Sequence, residues 1–82
     1  MNLQEAKGIL NRYVEYRTDP GGFLEAVLAN DLMSTLAHAD ESSRANLADI
    51  VGYVYNELPG YCWGSRREVK DWLVGPRATS HE

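Results

Sequence analysis

The chain has 82 residues, 44% hydrophobic and 24% charged, with one cysteine and a formal net charge of −4. That is enough apolar material for one small core, near the size where a single domain has little stability to spare. The acidic balance argues against non-specific nucleic-acid binding, one cysteine excludes an intrachain disulfide, and no apolar run approaches the ~20 residues that cross a bilayer.

The opening MNLQEAKGIL has neither the basic region nor the long apolar stretch of a secretory signal. With a lone thiol, a reducing cytoplasm is the expected setting. Leu3, Ala6, Leu10, Tyr13, Val14 and Arg17 then recur at helical spacing and predict a first helix. Asn2 and Glu5 stand at the spacing of a capping box. Gly8 inside this helix costs ~1 kcal/mol relative to alanine, which predicts a close neighbour at that point.

"RTDPGG" stops the first helix. Asp19 or Thr18 can cap the next, with Pro20 at its first position, where a missing N–H does no harm. Phe23, Leu24, Val27 and Leu28 form its apolar stripe. Asn30 or Asp31 is expected to cap a short third helix carrying Leu32, Met33 and Leu36. The alternative is one bent helix from Pro20 to His38.

Asp40 is the expected cap of the longest helix, with Glu41 well placed against its dipole. Leu47, Ile50, Val51, Val54 and Leu58 give the strongest periodic signal in the chain. Ala45, Ala48 and Gly52 make another side of this helix small. It is therefore expected at the centre of the fold, packed on the first and second helices, with the small residues as a candidate self-association surface. The plainer alternative leaves those small residues in solvent.

Pro59 and Gly60 end the long helix, and Ser65 with Glu68 matches the S-x-x-E capping pattern of a last short helix through Val69, Trp72 and Leu73. Residues 75–82 lack apolar periodicity and read as a tail. The expected fold is an all-α bundle of four to five short helices within residues 1–74, the fourth helix central.

Motifs for chemistry are missing from this pattern. The chain has no spaced set of Cys and His ligands for zinc, no EF-hand loop and no G-x-x-x-x-G-K phosphate cradle. Cys62, between two aromatics, reads as a small buried hydrophobe, and His38 as a last-turn residue bonding a free carbonyl. The expectation is no catalytic centre, no metal and no cofactor. Trp63 and Trp72 are expected to pin the last helix to the bundle.

The functional candidates are Tyr53, Asn56, Tyr61, Arg66 and Arg67, because tyrosine and arginine are enriched where partner proteins bind tightly. Ser65, Arg66 and Arg67 at a helix start allow a second reading, contact with nucleic-acid phosphate.

"GGFLEAVLANDL", "AHAD" and "IVGYVYNELPGYCWGS…VKDWL" resemble a group of short uncharacterised proteins encoded by tailed bacteriophages and prophages. The likeness spans about residues 20–73, and its most specific parts are Asn30–Leu32, Tyr55–Pro59 and Cys62–Ser65. The resemblance implies a non-structural protein made in the infected bacterium, binding a host or phage protein and modulating a host process. It carries over no catalytic residues.

Overall fold

The computed structural model describes residues 1–75. Its first helix, α1 (Leu3–Tyr16), opens as its sequence dictates. The Asn2 side chain accepts from the Glu5 N–H at 2.8 Å, and the Glu5 carboxylate accepts from the Asn2 N–H at 3.0 Å. Two otherwise unpaired donors are satisfied reciprocally. Ala6, Leu10 and Tyr13 form its enclosed face. The neighbour expected at Gly8 is not there; a Cβ would meet only the tip of Arg12, at 3.8 Å.

Arg17 ends α1 in the left-handed region, with φ of 58°. The next helix, α2 (Gly22–Leu28), begins two residues later than the proline suggested. Asp19 does not cap it; its carboxylate instead accepts from the Gly21 N–H and closes a local turn. Gly21, at φ of 86°, then sets the entry, and Pro20 is buried ahead of the helix.

Two successive bonds break the second segment at Asn30. The Asn30 N–H donates to the Val27 carbonyl and the Asp31 N–H to the Ala26 carbonyl, both at 3.0 Å, with Asn30 left-handed at φ of 59°. This is the Schellman pattern of a helix end, and asparagine tolerates its middle residue better than most. Asp31 then caps α3 (Leu32–His38) by accepting from the Ser34 N–H. Of the two sequence readings, the broken one is observed.

The predicted long helix is two helices, α4 (Glu41–Ala45) and α5 (Leu47–Glu57). Asp40 caps α4 through the Ser43 N–H at 2.7 Å. Asn46 interrupts the run: its side-chain amide donates to the Ser42 carbonyl, a short polar side chain competing for the helix's own acceptor. The longest helix is therefore α1, with 14 residues against 11 in α5.

Past Pro59 the chain makes a 3-10 turn (Gly60–Cys62) and enters α6 (Arg66–Val74). Ser65 accepts from the Glu68 N–H at 3.1 Å, the hydroxyl half of the expected box. The described residues thus hold six α-helices, more than the four to five expected, and no strand. None of these helices is long and apolar enough to cross a membrane. Apart from Gly75, the residues read as a tail lie outside the described residues.

The core draws on four places in the chain: Ala6, Leu10 and Tyr13 from α1; Phe23, Leu24 and Leu28 from α2; Ile50, Val54 and Leu58 from α5 and its end; Cys62 and Val69 from the C-terminal part. Of its two expected neighbours α5 packs mainly on α1, whereas α2 has α3 and α6 as its main neighbours. Val51 and half-buried Leu47, from the same apolar run, stay at the margin.

Candidate functional site

The corner from Tyr55 to Val69 is built first by main-chain bonding. Pro59 and Gly60 stop α5, and the turn that follows sends Cys62 inward with no exposed surface. Its thiol donates to the Pro59 carbonyl at 3.2 Å, and its own carbonyl accepts from the Tyr13 hydroxyl at 2.8 Å. Burial pushes the Cys62 thiol up from its ordinary value, away from thiolate character. The same enclosure raises the Tyr13 phenol, with the neighbouring Cys62 and Glu25 acting in the same direction.

Both tryptophans anchor their indoles to the main chain. Trp72 Nε1 donates to the Tyr13 carbonyl at 2.8 Å, and Trp63 Nε1 to the Leu58 carbonyl at 3.3 Å. Both rings pack against the core, which is the pinning expected of them. Against their outer sides sit tyrosines. Tyr61 lies 5.2 Å from Trp72 between ring centroids, and Tyr55 meets Trp63 edge-on at 6.1 Å. Tyr55 and Tyr61 are nonetheless 72% and 63% exposed. Arg17 stacks on Trp72 with its guanidinium carbon 3.6 Å from the ring centroid.

The five candidate binding residues are divided among separate surroundings. Tyr53 is half-buried and tied to α1, its hydroxyl donating to Asn11 Oδ1 at 2.8 Å and its ring lying under Lys7. Asn56 is exposed and turns its amide back to the Gly52 carbonyl. These two share a shallow groove with Leu3, Lys7 and Ala48. Tyr61 belongs instead with Trp72. Arg66 is engaged by Asp31 at 2.7 Å, joining the starts of α6 and α3, while Arg67 is exposed beside it. Among the small residues, Ala45 and Ala48 are exposed and Gly52 is half-buried, with nothing within 4 Å of a Cβ placed there.

His38 is exposed at the end of α3, with Nδ1 2.9 Å from the Ser34 carbonyl, the last-turn bond expected of it. No group of three or more His, Cys, Asp or Glu among the described residues is arranged to hold a metal ion.

Two features were not read from the sequence. One is the aromatic pairing of Tyr55 with Trp63 and Tyr61 with Trp72, for which the only signal was the local density of rings. The other is Asp31, which serves two helices: one oxygen caps α3 and the other pairs with Arg66. The Ser34 main-chain bond first, then Arg66, holds its carboxyl below the usual aspartate range.

Comparison with protein-family models, curated proteins and solved structures finds no match.

Proposed function

We propose that this chain is a small protein-binding module without chemistry of its own, encoded by a bacteriophage and acting in the infected bacterium on a host or phage protein to modulate a host process. The origin rests on the resemblance of residues 20–73. The observation that carries the binding role is the aromatic corner, where Tyr55 and Tyr61 stand largely exposed while each rests against a tryptophan bonded to the main chain. Rings presented this way lose little freedom on association, which is why tyrosine and tryptophan concentrate at binding hot spots. Arg67 is exposed at the start of α6, and Tyr53 with Asn56 lines a separate, more polar groove.

The test is affinity capture from host lysate with the wild type, a Tyr55→Ala/Tyr61→Ala variant and a Tyr53→Ala variant. A partner retained by the wild type and lost with the first variant supports the corner as the contact. Equal recovery by every form rejects it. The nucleic-acid reading gains nothing from the geometry, because Arg66 is already committed to Asp31 and Ser65 to the Glu68 N–H.

A further inference from the structure

The third helix is inside out. Leu32, Met33 and Leu36, the apolar residues this helix was expected to carry, are 65%, 78% and 38% exposed, and the residue of α3 that is buried is Thr35. Thr35 is tolerated inside because its hydroxyl donates to the Asp31 carbonyl at 2.7 Å. Leu32 stands beside the open margin of α5, where Leu32, Leu47 and Val51 border one apolar groove of about 140 Å³ together with Val27, Asn30 and Asp31. Leu32 and Val51 thus stand open on two helices across one groove, with Met33 and Leu36 exposed further along α3.

We infer that this face is covered by a second copy of the chain, related by a two-fold axis, with α3 packed antiparallel to its counterpart. Charge placement argues for it. Asp31 stands at the start of α3, on the rim of the groove. Arg44 reaches the other end, its guanidinium 3.4 Å from the Leu36 carbonyl. Among the described residues Arg44 has no carboxylate within ion-pair distance. Turning one copy about a two-fold sets each Asp31 against the other copy's Arg44, and the opposed dipoles of the two α3 helices add to the attraction. Asp31 can accept this bond while keeping Ser34 and Arg66, since a carboxylate has about four acceptor positions.

A specific contact requires roughly 500 Å² from each copy, a tenth of the 5062 Å² surface. Leu32, Met33, Leu36, Leu47 and Val51 form an apolar centre, and Asn30, Asp31 and Arg44 a polar rim, the composition such interfaces have.

Sedimentation equilibrium of the full chain across rising concentration tests the inference. The wild type should show a monomer–dimer equilibrium that Leu32→Glu and Arg44→Glu each weaken at least about tenfold, with circular dichroism confirming that both variants stay helical. Ala48→Glu, on the small-residue side, should leave the dimer unchanged. A dilution series of the wild type by NMR requires no substitution: amide shifts should move at residues 31–36 and 47–51. A wild type that stays monomeric throughout, a dimer indifferent to Leu32→Glu, a dimer lost in Ala48→Glu, or shifts confined to other residues each overturns the inference. None of these outcomes touches the aromatic corner, whose test is separate.

Discussion

The Tyr13 hydroxyl donates a 2.8 Å hydrogen bond to the main-chain carbonyl of Cys62, a residue 49 positions away, with both residues fully enclosed. The Tyr13 carbonyl in turn accepts from Trp72 Nε1. One residue of α1 thereby holds both the turn after α5 and the last helix.

Tyr13→Phe removes the donor and leaves the Cys62 carbonyl buried without it, at an expected cost of about 1–3 kcal/mol in denaturant unfolding at neutral pH. The pH dependence has a definite sign. Because burial raises the phenol in the fold, folding favours its protonated form. The unfolded chain loses this proton near the ordinary tyrosine value of about 10, so stability is intact below that value and declines as pH rises above it. The phenylalanine variant should show a shallower alkaline decline, measured by urea titration at several pH values.

Asp31 and Asp40 both sit below the usual aspartate range, in each case led by a main-chain N–H bond, from Ser34 and Ser43 respectively. A carboxylate lowered in the fold contributes stability that is present above about pH 4, the unfolded value, and is lost as pH falls through the lowered one. Thermal melts from pH 5 downward should show that loss. Asp31→Asn should retain the α3 cap, lose the charge pairing with Arg66 and flatten part of the acid decline. Asp31→Ala should melt lower than Asp31→Asn at neutral pH, since it lacks the cap as well.

Asn30 carries the helix end between α2 and α3 at a positive φ. Asn30→Ala should destabilise by about 1 kcal/mol, because alanine tolerates the left-handed region less well than asparagine. Asn30→Gly should stay within about 0.5 kcal/mol of the wild type. Equal stability of both variants would contradict the strain argument.

Cys62 is enclosed, its thiol bonded to the Pro59 carbonyl. A disulfide reagent should therefore modify it only as fast as the fold opens, with the rate rising in step with denaturant. Cys62→Ala should cost about 1–2 kcal/mol through lost packing. A fast reaction in the native state would place the thiol at the surface.

Arg17 locks the end of α1 to α6 by stacking on Trp72 and donating to its carbonyl at 2.9 Å. Arg17→Ala should lose about 1–2 kcal/mol and Arg17→Lys about half of that, since an ammonium keeps the charge but not the planar stack. Indole fluorescence during unfolding reports both.

Local chemistry was legible along the chain. Asn2 and Ser65 cap the helices their spacing predicted, Asp31 is the one of the two expected residues that caps α3, and Asp40 caps only the first of the two helices into which the expected long one divides, because a cap is decided by one side chain and the N–H groups two or three residues on. The all-helical class followed from apolar periodicity, and Tyr13, Ile50, Val54 and Leu58 went inward as that periodicity required. The split at Asn46 was less visible, since the residues on both sides keep one helical phase and only the Asn46 amide taking the Ser42 carbonyl marks the break.

Which apolar faces find a neighbour was settled only in three dimensions. Leu32, Met33 and Leu36 carry the same pattern as a core stripe, yet Asp31, held by both Ser34 and Arg66, orients α3 so that Thr35 goes inside. Tyr55 and Tyr61 likewise acquire tryptophan supports from residues 8 and 11 positions further on, through turns whose path no periodicity encodes. Spacing specifies which side chains share a face. It does not specify what that face meets, because this depends on the directions that turns and long-range bonds impose on the helices.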